Sequence, residues 1–230
     1  MRFRISSMKR LLFIPLIAIM SFMKPEKKAL RYIALGDSYT ICTGTTNTAE
    51  QWPEILADHL SKAGIPVGLV SNPSRNGFST QNVIDNELPI LKSGNYNFAT
   101  LLIGVNDWVR GVDTKIYQKN LSYIIDEIQK ALPDKSKLIL ITIPDFGVTP
   151  QGALYSGGRD ISKGISEFND IIKAEAKKRG LTCVDIFPLS KGMLNDKDLV
   201  ASDGLHPSAK EYALWETLIF PEAKKVLSGN

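Results

Sequence analysis

Five short apolar runs, near residues 31–35, 67–71, 98–103, 138–143 and 181–186, alternate with five longer helix-like stretches near 49–63, 78–92, 114–131, 160–179 and 208–227. Strands separated by helices pair in parallel, so this alternation predicts an α/β fold with a five-stranded parallel sheet and helices on both faces. Phe98-Ala99-Thr100-Leu101-Leu102-Ile103 is apolar almost without interruption, as a strand covered on both sides must be. About 200 residues follow the N-terminal leader, enough for one such domain over 24–230 with a substantial core. No repeat, low-complexity tract or interdomain linker divides them.

An open parallel sheet binds ligands outside the carboxyl ends of its strands. Residues able to do chemistry collect at such positions. Gly36-Asp37-Ser38 follows the first predicted strand, and Gly104-Val105-Asn106-Asp107 follows the third. Asp203-Gly204-Leu205-His206 forms a turn in which Pro207 keeps His206 out of the helical region and opens the last helix. Each tripeptide or tetrapeptide alone is ordinary turn chemistry. Together they supply a hydroxyl, an imidazole to take its proton, a carboxylate to orient that imidazole and an amide to donate to an oxyanion.

The chain has only two histidines. His59 falls on or beside the apolar stripe Trp52, Ile55, Leu56, Leu60, Ala63 of an amphipathic helix, which gives it a packing role. That leaves His206 as the general base. Cys42 follows Ser38 closely and could reach the same base, but Ser38 holds the strand end. No Gly-x-Ser-x-Gly elbow surrounds Ser38, so the scaffold is not an α/β-hydrolase.

These blocks resemble those of the GDSL-type esterases of the SGNH hydrolase family. The resemblance runs from about Arg31 to the C-terminus and includes Ile143-Pro144-Asp145-Phe146-Gly147-Val148-Thr149-Pro150 and Asp203-Gly204-Leu205-His206-Pro207-Ser208. It implies a flavodoxin-like three-layer α/β/α sandwich and hydrolysis of carboxylic esters through an acyl-enzyme, with no metal or other cofactor. By the same resemblance Ser38 is the nucleophile, His206 the base, Asp203 its orienter and Asn106 an oxyanion donor. Backbone N–H groups of Ser38 and Gly77 complete the oxyanion hole, Gly77 being placed by its position after the second strand.

The loop from Asp145 to Gly158 follows the fourth strand and is rich in glycine, so it is expected to border the site. Its Phe146 and Tyr155, and Trp108 after Asp107, either line an acyl or sugar pocket or simply pack. Cys42 and Cys183 fall on separated elements, which argues against a disulfide, and no Cys/His cluster has metal-ligand spacing.

Arg2, Arg4, Lys9 and Arg10 precede the apolar run Leu11 to Met20, the pattern of a signal peptide over residues 1–23. The run is short and holds Pro15, which favours cleavage over retention as an anchor. Export to the periplasm or medium is expected, with membrane attachment only if the leader stays uncleaved. Its four basic residues account for the whole net charge of +4, so the remainder is neutral and offers no electrostatic case for nucleic acid. Nothing points to an obligate protein partner. The expected substrates are short-chain or acetyl esters such as acetylated carbohydrate. The alternatives are a lysophospholipase or thioesterase acting on long acyl chains, and a non-catalytic exported carbohydrate-binding protein.

Overall fold

The computed structural model describes residues 28–229, so the expected leader lies outside the described residues. The elements, in chain order, are β1 (Leu30–Gly36), α1 (Trp52–Lys62), β2 (Val67–Ser71), α2 (Thr80–Asn82), α3 (Leu88–Ser93), β3 (Phe98–Leu102), α4 (Val105–Val109), α5 (Thr114–Ala131), β4 (Leu138–Ile141), α6 (Ile161–Arg179), β5 (Thr182–Val184), α7 (Phe187–Ser190) and α8 (Ala209–Ser228). The strands pair in parallel in the order β2-β1-β3-β4-β5. This is the flavodoxin-like arrangement, with its switch point between β1 and β3.

Helices cover the sheet as the apolar patterns require. Helix α1 buries Trp52, Leu56 and Leu60 and packs against α8, which buries Tyr212, Trp215 and Ile219. Helix α5 packs against α3 and α6. Between these layers β3 and β4 are buried at every residue, and their continuous apolarity is explained. Side chains start the long helices on this face of the sheet: Asp113 accepts from Lys115 N–H, and Asp160 from Lys163 N–H. Among the described residues no helix is long and apolar enough to cross a membrane. Cys42 is buried, Cys183 lies on edge strand β5, and both are free thiols.

One predicted helix is broken. The stretch 78–92 forms α2, a π-helical turn over Val83–Glu87 and α3 rather than one continuous helix. Pro89 has no N–H to give to the preceding turn, and the Leu88 N–H reaches back to the Val83 carbonyl instead. The extra residue in that turn leaves Glu87 fully buried under the sheet edge.

Gly36 sets the spacing at the switch point. It pairs with Leu102 of β3, and a Cβ there would lie 2.2 Å from the Leu102 carbonyl oxygen and 2.3 Å from Thr40 Oγ1. The backbones approach too closely for any side chain. Gly36→Ala should therefore destabilise the protein by about 1–3 kcal/mol, read as a lower denaturation midpoint at unchanged m-value. Gly68→Ala in β2, where a Cβ would meet nothing within 4 Å, is the control and should leave the midpoint nearly unchanged.

Candidate active site

Three loops at the carboxyl edge of the sheet converge on one cleft of about 240 Å³, walled among others by Ser38, Asn106 and His206. The first loop turns sharply after β1. Asp37 Oδ1 accepts the Tyr39 N–H at 2.9 Å, the Thr40 and Ile41 N–H groups reach the Asp37 carbonyl, and Thr43 N–H closes onto the Ser38 carbonyl at 2.9 Å. Trp52 of α1 donates to the Tyr39 carbonyl at 2.9 Å and anchors the loop from below. Ser38 is thus held nearly buried at the cleft floor. Among the described residues no acceptor engages its backbone N–H.

The second loop carries His206. Asp203 Oδ1 accepts the backbone N–H groups of Leu205 and His206, each at 2.9 Å, while Oδ2 accepts from the imidazole Nδ1 at 2.6 Å. Burial pushes the Asp203 carboxyl up, but those backbone donors and the imidazole outweigh it and hold the group below its ordinary value. An ionised Asp203 can only accept, so the proton sits on Nδ1 and Nε2 carries the free lone pair. Two backbone bonds, Ala201 N–H to the His206 carbonyl and Ser208 N–H to the Leu199 carbonyl, fix the loop. Tyr39 meets the imidazole edge-on at 6.0 Å between centroids. Ser38 and His206 face the same cleft with no hydrogen bond between them; catalytic bonds of this kind commonly form only in the complex with substrate.

The third loop starts α4. Gly104 has φ +133° and a Cβ would press on the Tyr117 ring at 2.7 Å, so the chain enters the helix against α5 at a point only glycine permits. Asn106 faces the cleft and its Nδ2 donates at 2.9 Å to the Phe78 carbonyl. That uses one of two amide hydrogens. Asp107 turns inward and accepts the Thr80 N–H and hydroxyl, tying the start of α2 to α4.

Gly77, at φ +78°, lies in the turn Arg75–Phe78, and its carbonyl accepts from Arg110 Nη2 at 2.7 Å. Gly77 is not among the residues that wall the cleft, and no acceptor among the described residues engages its N–H.

Of the three aromatic candidates, Phe146 and Tyr155 wall the cleft and Trp108 does not. Trp108 is buried, meets Phe146 edge-on at 5.8 Å, carries the Arg159 guanidinium 4.0 Å over its ring and lies against Gly164 of α6. Its role is to back the wall, because α6 comes so close that no solvent-facing space remains for it. The loop after β4 does border the site: Gln151 N–H bonds the Gly204 carbonyl at 2.9 Å beside His206. His59 lies outside the cleft, with Nδ1 3.1 Å from both carboxylate oxygens of Glu216 on α8.

Residues 34–214 match the GDSL-like lipase/acylhydrolase family. The chain belongs to that family. It is therefore a carboxylic ester hydrolase by class. Its fold is shared with solved structures of low sequence identity. The TesA structure is 21% identical with a TM-score of 0.67 over 85% of this chain and 99% of that one. The esterase EstA from Pseudoalteromonas sp. is 21% identical, with a TM-score of 0.68 over 86% of this chain and 98% of its own. A family 3 carbohydrate esterase from Clostridium thermocellum is 19% identical, with a TM-score of 0.70 over 88% and 98%. No curated protein sequence matches the chain significantly.

Beneath the site of this GDSL-like hydrolase lies a group of buried carboxyls that the sequence reading passed over. Glu87 accepts the Gly36 N–H at 3.0 Å, and Asp37 Oδ2 and Glu87 Oε1 have no partner among the described residues. Burial, and secondarily the charge of Asp107, pushes Asp37 up to about 8. Burial likewise raises Glu87 well above its ordinary value, with Asp37 adding to it, and raises Asp107 against the bonds from Thr80. The signal for Glu87 was its position just before Leu88-Pro89, where the helix had to break inward. Arg110 was missed because a lone arginine after a predicted turn carries no pattern.

A carboxyl raised on folding makes the native state bind a proton that the unfolded chain has lost. The contribution of Asp37 to stability is therefore complete below about pH 4 and disappears as the pH rises through about 8. Asp37→Asn keeps the acceptor for Tyr39 N–H and removes the titration. The melting temperature of wild type should fall relative to Asp37→Asn between pH 5 and pH 9; a constant difference across that range would show that Asp37 is already ionised in the folded protein.

Proposed function

We propose that this enzyme is a serine hydrolase of short-chain carboxylic esters, acetylated carbohydrate foremost, working through an acyl-enzyme. The observation that carries the reading is the convergence of Ser38, Asn106 and His206, from three separate loops, on one cleft of about 240 Å³. That volume lies below the usual range for sites that enclose drug-sized ligands, and it suits a small acyl group.

In this mechanism the Ser38 hydroxyl attacks the acyl carbon while His206 Nε2 takes its proton. Asp203, ionised and bonded to Nδ1, orients the ring and balances the imidazolium that forms. The oxyanion is held by the second amide hydrogen of Asn106 and the N–H group of Ser38, both of which face the cleft. Collapse expels the alcohol, which receives the proton from His206. Water then attacks the acyl-enzyme with His206 again as base, releasing the acid and restoring Ser38.

A second reading has one observation in its favour. On the short helical turn Gly152–Tyr155, Leu154 is 76% exposed and Tyr155 44% exposed, and Tyr155 walls the cleft. An apolar rim of this kind would suit long acyl chains, as in a lysophospholipase or thioesterase. Hydrolysis of p-nitrophenyl esters of graded chain length separates the two: the short-chain reading requires kcat/KM to peak at acetyl or butyryl and fall beyond. The basic start and apolar run of residues 1–23 support export of the enzyme. Fractionation of an expressing bacterium, with the mature N-terminus sequenced, checks it.

Ser38→Ala and His206→Ala should each lower turnover by roughly 10⁴-fold or more. Asn106→Ala should lower kcat by roughly 10²–10³-fold with little change in KM, because the oxyanion bond matures in the transition state. His59→Ala should keep its turnover and lose thermal stability, since it leaves Glu216 buried without its imidazole partner. Comparable loss of turnover in folded His59→Ala would overturn the assignment of His206.

A further inference from the structure

Arg110 stands on the cleft wall, and among the described residues no carboxylate pairs with it; only the buried Asp107 feels its charge, at a distance. Its side chain is exposed, walls the same cleft as Ser38 and His206, and forms no ion pair among the described residues. A single bond, from Nη2 to the Gly77 carbonyl, fixes the fork in place and leaves its other N–H groups without protein acceptors. Arg159 is outside the cleft wall and already occupied: it donates to the carbonyls of Trp108, Val109 and Ser156 and stacks on the Trp108 ring. Among the described residues no carboxylate lines the cleft. Asp203 is engaged behind His206, and Asp37 and Asp107 are buried beneath the loops.

The rest of the wall sorts the substrate's two halves. Val105, Phe146 and Leu205 give the interior an apolar surface suited to an acyl group. With the acyl group enclosed, the alcohol portion of the ester extends to the mouth, where the guanidinium waits. A planar fork with free donors recognises carboxylate or phosphate better than any neutral group.

We propose that Arg110 is a specificity-determining residue that selects esters bearing an anionic group, carboxylate or phosphate, on the alcohol portion. This rests on the ester-hydrolase reading above and deepens it: the acetylated carbohydrate would be an acidic one.

The test compares para-acetoxybenzoate with para-acetoxybenzamide, two acetyl esters of similar shape that differ in charge, and adds para-acetoxyphenyl phosphate to distinguish carboxylate from phosphate. Wild type should favour the anionic esters, and Arg110→Gln should lower the anionic-to-neutral ratio of kcat/KM by roughly three- to tenfold. Arg110→Lys should retain part of the ratio, and raising the salt from 0.15 M to 1 M should erode it in wild type as the Debye length shrinks from about 8 Å to about 3 Å. Using ratios between variants cancels the intrinsic reactivity of each ester.

If Arg110 only braces the Gly77 turn, Arg110→Gln slows both esters equally and the ratio stays constant, which overturns the proposal. A wild-type ratio indifferent to salt overturns it as well, and that measurement needs no variant to fold. Failure of wild type to hydrolyse even para-acetoxybenzamide would instead overturn the ester-hydrolase reading itself.

Discussion

The close passage of β1 against β3 at Gly36 is the constraint on which the site depends. With a Cβ excluded there by the Leu102 carbonyl and Thr40, the two strands end level across the switch point of the sheet. The turn bearing Ser38 and the helix bearing Asn106 then leave from adjacent strands at the same height. Everything else brings groups to that crevice. Helix α8, seated on α1, fixes the loop before it, and Tyr212 of α8 reaches back to the Thr43 carbonyl at 3.0 Å to join the histidine side of the cleft to the serine side.

Much of this was legible in the sequence because the physics that shapes it is local. The apolar runs at 98–102 and 138–141 had to be covered on both faces, and the strand–helix alternation then left parallel pairing as the natural solution. Scarcity also helped: with two histidines, and one of them on a helical stripe, His206 was nearly identified before any geometry. Trp108 was not legible, because a tryptophan after a strand looks the same whether it faces ligand or core. What decides it is Gly164, more than fifty positions away in sequence, whose missing side chain lets α6 close over the indole. The stretch 78–92 reads as one helix, and its break into a π-helical turn that buries Glu87 was not legible, because that outcome depends on the Gly36 N–H needing an acceptor from across the fold.

Burial of Asp37 and Glu87 under the Ser38 turn is costly, since each has an oxygen without a partner among the described residues. Burial drives both carboxyls towards the neutral form, Asp37 up to about 8 and Glu87 well above its ordinary value. A neutral Glu87 still accepts from Gly36 through its carbonyl oxygen, and a neutral Asp37 still accepts from Tyr39. The turn is therefore held without placing negative charge directly beneath Ser38 at the cleft floor.

The same short device recurs around the carboxyl edge. Asp37 after β1, Asp145 after β4, Asp185 after β5 and Asp203 before His206 each accept the backbone N–H two residues on, from Tyr39, Gly147, Phe187 and Leu205 respectively. Such Asx turns replace a peptide carbonyl with a side chain and reverse the chain within a few residues, so loops that would otherwise wander are stiff where the cleft needs them. Two of them, Asp37 and Asp203, are driven in opposite directions by what surrounds them. Buried Asp37 is driven towards the neutral form, whereas Asp203, half open to solvent and bonded to two backbone amides and an imidazole, is driven towards the charged one. One turn chemistry thus supplies both a neutral brace under Ser38 and an ionised anchor for His206, and the difference comes from depth in the fold rather than from the residue type.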